Sequence, residues 1–260
     1  MLTLDDPLLL RSQDARGVLT LTLNRPQAFN ALSETMLAAL QKELTAIAGD
    51  DTVRLVVLAA AGRAFCAGHD LKEMRAEPSQ DYYRTLFDQC GRVMLAIQRL
   101  PVPVVARVQG IATAAGCQLV AACDLAVAAG NARFAVSGVN LGLFCATPSV
   151  ALARNMGRKQ AFEMLVTGEF IDAEEARRRG LINRVAGPEA LDDELERLVA
   201  SIVAKPRVAL AMGKQLFYRQ LEMGIEAAYQ AATQTMACNM MDESALEGVQ
   251  AFIDKRPPKW

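Results

Sequence analysis

The chain has 260 residues, of which 52% are hydrophobic and only 5% aromatic, and its formal net charge is −1. This length can bury a large core, as one large domain or as a core with an appendage. The balanced charge and the few aromatic residues argue against nucleic-acid binding and against attraction to an anionic membrane.

Cysteine and histidine usage bears on metals and on cellular location. The cysteines lie at positions 66, 90, 117, 123, 145 and 238, without a Cys-x-x-Cys pair, and His69 is the single histidine. This pattern disfavours a zinc site and is typical of reduced cysteines in a cytosolic protein. The first residues, MLTLDDPLLLRSQD, lack the basic region of a signal peptide. Arg107 and Gln118 interrupt the most apolar stretch, which excludes a membrane span. We therefore expect a cytoplasmic protein without a bound metal.

The first third of the chain predicts two strands and two helices. Alternation over 18–23 predicts a half-buried strand, and Ser33 is a suitable N-cap for a helix with an apolar face. The apolar run 54–59 predicts a core strand, and a glycine-containing loop is expected over 60–70. Residues 79–100 have the periodicity of a long amphipathic helix.

The stretch from Val108 to Ala129 is small, apolar and rich in alanine and glycine. The prolines just before it predict a buried strand over 104–108, and a short buried helix is expected over 114–122. A helix of such small residues lets the N–H groups at its N-terminus approach a ligand closely. Tight helix packing without any ligand explains the composition equally well, and from these residues both interpretations stay open.

Only helices are predicted after Pro188, over 189–204, 207–221, 225–240 and 243–254. We therefore divide the chain near Gly187, into a core of residues 1–187 and a helical region of residues 188–260. Apolar helix faces added to a complete core favour a subunit interface, and packing on the chain's own core is the alternative.

Four segments carry distinctive motifs: NRP with NAL (24–26 and 30–32), FCAGHDLKEM (65–74), the stretch from Gln109 to Asp124, and FAVSGVNLGL (134–143). Together they resemble the crotonase family, the enoyl-CoA hydratase/isomerase group. Their order and spacing cover about residues 16–185, and the words ATAAGCQL and GVNLGLFCATP favour one subgroup of the family.

The resemblance implies an α/β fold, a spiral of β-β-α units with a C-terminal α-helical trimerisation region. It implies a homo-trimer or a dimer of trimers, and an acyl-CoA thioester as ligand. Coenzyme A then enters as part of the substrate, and no permanently bound cofactor is expected.

The resemblance implies roles for several residues. The backbone N–H groups of His69 and Ala115 match the two family positions that bind the thioester oxygen as it becomes an enolate. The family positions that line the CoA pocket with backbone correspond to Ala28, Cys66 and Ala67. Basic residues that help to hold the CoA phosphates correspond to Lys255 and Arg256, for which a solvated tail is the alternative.

The chain departs from the family at both acid–base positions. A hydratase of this family uses two glutamates, and here Gln118 and Gly138 stand at their positions. An amide cannot exchange a proton near neutral pH and glycine has no side chain, so classical hydration is expected to be weak or absent. Candidate substitutes are His69, Asp70, Glu73, Cys145 and an anion bound in the space that Gly138 leaves. Other enolate-forming acyl-CoA chemistry, and a non-catalytic acyl-CoA binder or oligomeric partner, remain alternatives.

Overall fold

A computed structural model describes residues 7–76 and 78–260. Among these residues the strands are β1 (Leu9–Gln13), β2 (Val18–Leu23), β3 (Leu55–Ala60), β4 (Ala64–Cys66), β5 (Val104–Val108), β6 (Ile111–Thr113), β7 (Leu125–Ala129), β8 (Arg133–Ala135), β9 (Ile171–Asp172) and β10 (Arg184–Ala186). The helices are α1 (Glu34–Ala48), α2 (Leu71–Ala76), α3 (Gln80–Arg99), α4 (Ala115–Ala122), α5 (Ala146–Asn155), α6 (Arg158–Thr167), α7 (Ala173–Arg178), α8 (Leu191–Val203), α9 (Arg207–Gln220), α10 (Ile225–Met240) and α11 (Glu243–Ile253).

The strands form two sheets, in the orders β1-β2-β3-β5-β7-β10 and β4-β6-β8-β9. Strands β2, β3, β5, β7 and β10 are parallel, as are β4, β6 and β8, while β1 and β9 join their sheets antiparallel. The chain passes from β3 to β4, from β5 to β6 and from β7 to β8, and each pair is followed by helix. This repeated β-β-α path confirms the predicted spiral.

The central strands and helices form where the sequence predicts them. Ser33 accepts a hydrogen bond from the Met36 N–H and begins α1, whose apolar face is buried. Strands β3 and β5 are buried on both faces, as expected for parallel strands covered by helices. Helix α4 is buried along its whole length, and its small residues let it pack closely against β4, β6, α3 and α5.

The segment 60–70, predicted as a loop, contains a strand. Ala64–Cys66 pairs with β6 in the second sheet. The Asn30 side chain supports this turn, because its amide donates to the carbonyls of Ala61 and Ala64 at 2.8 and 2.9 Å. Three-residue strands such as β4 and β6 depend on partners distant in sequence, so local periodicity does not reveal them.

The helical region is joined to the core through Asp124, at the end of α4. Its carboxylate accepts hydrogen bonds from the Lys214 ammonium at 2.6 Å, the Tyr218 hydroxyl at 2.7 Å and the Val104 N–H at 2.6 Å. Burial raises the pKa of Asp124, and the adjacent Lys214 ammonium only partly opposes this. Asp124 therefore has a structural role at the junction between the core and the helical region.

Helix α8 packs on the first sheet, whereas α9 to α11 leave large apolar side chains exposed. The most exposed of these are Ile225, Tyr229, Met236, Met241 and Phe252. No helix in the described part of the chain is both long and apolar enough to cross a membrane. The division near Gly187 remains a prediction from the change in element type.

Candidate functional site

A mostly apolar cavity of about 550 Å³ lies where the loops after β2, β4, β6 and β8 meet. Its wall is built from the turn 25–31, the segment 67–74, the start of α4 and the segment 137–148, with Phe87 of α3 closing one side. The predicted residues Ala28, Ala67, His69, Ala115 and Gly138 all line it.

The backbone around His69 is set by a short parallel bridge to Leu32. The Leu32 N–H donates to the Gly68 carbonyl at 2.8 Å, and the Asp70 N–H donates to the Leu32 carbonyl at 3.3 Å. In this pairing the residues on either side of His69 make the bonds, so the N–H of His69 itself points away from Leu32. Gly68 has a φ of +94°, a conformation open to glycine, and turns the chain into the cavity wall.

The N–H of Ala115 is presented by a strained residue. Ala114 has φ 50° and ψ −123°, which a residue with a Cβ seldom adopts. The Ala135 carbonyl holds it by accepting its N–H at 3.0 Å. Ala115 is the first residue of α4, so its N–H has no acceptor within the helix. The strain thus places an available donor at the cavity wall.

Glycines allow the start of α4 to lie close to the segment from Cys66 to His69. A Cβ at Gly68 would lie 3.2 Å from the Ala115 nitrogen, and one at Gly116 would lie 2.1 Å from the Cys66 carbonyl oxygen. Real Cβ atoms do not come that close to backbone, so α4 can approach β4 this closely only with glycine at 116.

His69 is a lining residue of this cavity, and its imidazole packs edge-on against the Phe87 ring, with 5.4 Å between centroids. Both ring nitrogens are buried, and neither makes a well-directed hydrogen bond to a described residue. Burial lowers the pKa of His69 to about 4, and the Leu32 carbonyl opposes this only in part. The imidazole is therefore neutral at physiological pH and cannot act there as a cationic acid.

Asp70 and Glu73, the two candidate acids, are both bonded to groups from other parts of the chain. Asp70 accepts from the Arg25 guanidinium at 2.7 Å, and Glu73 accepts from the N–H of Glu34 at 3.0 Å. Burial raises the pKa of Asp70, but the Arg25 guanidinium and nearby N–H groups outweigh it, so the pKa is lowered. Both acids support the cavity wall, and Arg25 has a structural role that sequence analysis missed within the NRP word.

Gly138 is more crowded than the sequence predicts. It begins its turn beside the Ser137 hydroxyl, which lies 2.9 Å from that of Thr113. A Cβ on Gly138 would lie 2.6 Å from the Leu143 carbonyl oxygen and 2.8 Å from the Cys145 Sγ. The expected space for a bound anion is thus taken up by this carbonyl and this thiol. Burial raises the pKa of Cys145, with partial opposition from the Gly138 N–H, so the thiol stays protonated.

Three other predicted site residues do not line the cavity. Gln118 is buried within α4, and its Oε1 has no hydrogen-bond partner among the described residues. Cys66 is fully buried behind the wall, and burial raises its pKa to about 12. Lys255 follows α11, where the neighbouring Arg256 is paired with Glu247 at 2.7 Å. Within the described residues, no cluster of three or more His, Cys, Asp or Glu has the arrangement of a metal site.

Comparison with known proteins identifies the family. The family described as enoyl-CoA hydratase/isomerase matches residues 13–260. The chain belongs to the enoyl-CoA hydratase/isomerase family. The rat protein named enoyl-CoA hydratase domain-containing protein 3, mitochondrial, is 44% identical over 255 residues, which cover 98% of this chain and 85% of that protein.

Solved structures of the enoyl-CoA hydratase/isomerase family superpose closely on the chain. An enoyl-CoA hydratase from Mycobacterium smegmatis has a TM-score of 0.97 and 70% identity, covering 98% of this chain and 99% of the other. Human enoyl Coenzyme A hydratase domain-containing protein 3 has a TM-score of 0.94 and 42% identity, covering 98% and 100%. These matches confirm the crotonase fold and the subgroup, domain-containing protein 3, that the words ATAAGCQL and GVNLGLFCATP indicate.

The cytoplasmic location predicted from the sequence is wrong by the same comparison. The relatives of this subgroup in rat, Xenopus laevis, mouse and human are all named mitochondrial. Buried, reduced cysteines argue only against an oxidising compartment, and they do not distinguish one reducing compartment from another.

Proposed function

We propose that this enoyl-CoA hydratase/isomerase family member binds acyl-CoA thioesters in the cavity and holds the thioester oxygen with the backbone N–H groups of His69 and Ala115. The observation that carries the proposal is the strained Ala114, which leaves the Ala115 N–H available at the wall beside His69. Strain of this kind persists where the surroundings enforce it, and it clusters at functional sites.

The cavity suits an oxyanion of this kind. Negative charge develops on a thioester oxygen when a neighbouring carbon is deprotonated or attacked, and fixed N–H donors in a dry site are worth about 3–4 kcal/mol each. The surrounding wall is mostly apolar, which strengthens such bonds. Lys72, which also lines the cavity, supplies positive charge for the phosphates of coenzyme A, whereas the charge of Arg25 is balanced by Asp70.

We further propose that classical hydration is weak or absent. Among the described lining residues the one carboxylate is Asp70, and it is held by Arg25. Gln118 and Gly138 occupy the positions of the two usual glutamates, and each missing acid–base group removes a factor of about 10²–10⁴ in rate. Thus the retained N–H donors support binding and enolate stabilisation, and nothing placed beside them supports rapid proton transfer.

A non-catalytic acyl-CoA binder that assembles as a homo-trimer or dimer of trimers is the second candidate. The exposed apolar side chains of α10 and α11, such as Tyr229 and Phe252, favour assembly through the helical region. Assembly of this kind would also allow Lys255 to act at the site of a neighbouring copy.

The decisive experiment is calorimetric titration with coenzyme A, butyryl-CoA and crotonyl-CoA, together with a hydration assay. We expect both esters to bind and crotonyl-CoA to be hydrated slowly or not at all. Infrared spectra with a ¹³C-labelled thioester carbonyl should show the carbonyl band shifted to lower frequency on binding, as hydrogen bonding from the two N–H groups requires.

Ala115→Pro removes one donor at the first helix position, where no intrahelical hydrogen bond is lost, and Ala115→Ser keeps the donor. The serine variant should retain the infrared shift and the proline variant should lose about half of it. If no ester binds, the acyl-CoA site itself is refuted; if crotonyl-CoA is hydrated rapidly, the conclusion about the two glutamate positions is refuted.

A further inference from the structure

A second sizeable cavity, here called the α3–α9 groove, lies between the C-terminal end of α3 and helix α9. Its volume is about 630 Å³, against about 550 Å³ for the candidate site, and the two share no lining residue. The α9 residues in its wall recur every three or four positions, so they lie on one face of that helix. The lining residues are Gln98, Arg99, Leu100, Pro101, Ala211, Met212, Gln215, Tyr218 and Arg219.

The charge in this groove is positive and uncompensated. Arg99 and Arg219 both line it, the lining contains no carboxylate, and neither arginine forms an ion pair with a residue that the structure describes. A larger cavity of about 1100 Å³, beside α11, also contains arginines, but there Asp242, Glu243 and Glu247 supply negative charge. The α3–α9 groove thus lacks the counter-charge that the chain provides elsewhere.

The acceptors next to the groove are already used by other donors. The Lys214 ammonium donates to the carbonyls of Ile97 and Val102, at 2.9 and 3.0 Å, and to one carboxylate oxygen of Asp124 at 2.6 Å. The Tyr218 hydroxyl donates to the other oxygen of Asp124 at 2.7 Å. The two arginines of the groove therefore remain as donors for a group that comes from outside the chain.

The composition of the lining limits the kind of group that fits. Guanidinium groups bind carboxylates and phosphates through paired N–H donors, and the side-chain amides of Gln98 and Gln215 offer further donors. Leu100 and Met212 are among the residues that give the groove an apolar surface, and the unbranched methionine adapts to the shape of a ligand. A plain inorganic anion would leave this apolar surface unused, and a neutral lipid would leave the arginines unused.

We propose that the α3–α9 groove is a second ligand site and that it binds a small amphipathic anion. Arg99 and Arg219 hold its carboxylate or phosphate head group, and its aliphatic body lies against Leu100 and Met212. This site is independent of the proposed acyl-CoA site. A ligand bound here contacts both α3 and α9, so it stabilises the packing of the helical region on the core.

Calorimetry on the full chain tests the proposal with octanoate, octyl phosphate and octanol, three probes of equal chain length. We expect both anions to bind with one-to-one stoichiometry and octanol to bind at least about tenfold more weakly, because it lacks the charge. The tighter of the two anions identifies the preferred head group. Both anions should bind more weakly as the salt concentration rises, since the two arginines are exposed.

The double variant Arg99→Gln/Arg219→Gln removes both charges and keeps two polar side chains at the surface. It should weaken binding of both anions by about tenfold or more, while the affinity for butyryl-CoA stays within about twofold of the wild type. The matched control is Arg158→Gln, which removes an exposed arginine of α6 that has no ion pair within the described chain. Anion binding by this control should stay within about twofold of the wild type.

Methionine methyl groups show where octanoate binds, because Met212 lines the groove and Met74 lines the candidate acyl-CoA cavity. In a chain labelled with [methyl-¹³C]methionine, the Met212 resonance should shift on addition of octanoate. A shift at Met74 without one at Met212 would place octanoate in the other cavity and overturn the proposal. So would equal binding of octanol, absence of binding by either anion, or equal weakening in the double variant and in Arg158→Gln. None of these results depends on whether acyl-CoA binds.

Discussion

The two sides of the cavity depend on the sequence in different ways. The backbone side, made of Gly68, His69, Ala114 and Ala115, supplies N–H groups whose positions depend on conformation. The side-chain side, made of Gly138 and Cys145, has crowded atoms and no carboxylate. A backbone donor survives replacement of its side chain, whereas an acid or base is lost with a single substitution. A family fold can therefore keep ligand binding while its proton chemistry changes.

The backbone side is also the more constrained of the two. Gly68 has a positive φ, Ala114 has the same sign of φ in spite of its Cβ, and Gly116 sits against the Cys66 carbonyl. A single substitution can disturb or relieve the backbone conformation at such a position. The expected effects of three changes on this side of the cavity are given below, from the largest to the smallest.

Gly116→Ala should break the backbone side most severely. Its new Cβ would lie 2.1 Å from the Cys66 carbonyl oxygen, so α4 must move away from β4 and carry the Ala115 N–H with it. We expect a loss of about 3 kcal/mol or more in the free energy of unfolding, measured by urea denaturation, together with loss of ester binding.

Gly91→Ala is the matched control, because nothing lies within 4 Å of a Cβ at that position in α3. It should stabilise the chain by about 0.5–1 kcal/mol, since alanine favours a helix interior. Equal stability of the two variants would show that the approach of α4 to β4 is not what fixes this wall.

The His69 side chain should make stability depend on pH. Its pKa is about 4 in the folded chain against 6.5 in the unfolded chain, so between these values the unfolded state binds more protons. The stabilising contribution is present above pH 6.5 and is lost as the pH falls towards 4, by about 3 kcal/mol in all. The free energy of unfolding should therefore fall more steeply between pH 7 and pH 4 in the wild type than in His69→Ala. Parallel pH profiles for the two proteins would contradict a buried neutral imidazole.

Ala114→Gly should relieve the strain without changing the donor. Ala114 has φ 50° and ψ −123°, and strain of this kind costs about 1–3 kcal/mol, whereas glycine loses about 0.5–1 kcal/mol through the greater freedom of the unfolded chain. The thermal midpoint should rise by an amount that corresponds to about 1 kcal/mol, with ester affinity unchanged within about twofold. Ala121→Gly, inside α4, should be destabilising; a loss of stability in both variants would mean that Ala114 is not strained.

Much of the fold could be predicted from local pattern. Ser33 begins a helix as expected. Asp172 caps α7 in the same way, and the left-handed Gly168 ends α6, and both are residue types typical of these positions. The three-residue strands β4 and β6 escaped prediction because their pairing is fixed by tertiary contacts. The helix predicted over 225–240 is observed with the same ends.

The candidate site was predictable in a different way. The positions of His69, Ala115 and Gly138 came from the resemblance to a family, and all three line one cavity. The contacts around these residues could not be predicted from the resemblance. Asp70 pairs with Arg25, 45 residues earlier, and the Cys145 thiol lies against Gly138. Contacts of this kind depend on how separate loops meet, which periodicity and capping do not encode.

The crowding at Gly138 limits what a single substitution can do at this position. A glutamate introduced there alone would meet the Leu143 carbonyl and the Cys145 thiol before it could reach a ligand. An engineer who wants a carboxylate in this part of the cavity must therefore redesign the segment from 143 to 145 together with position 138.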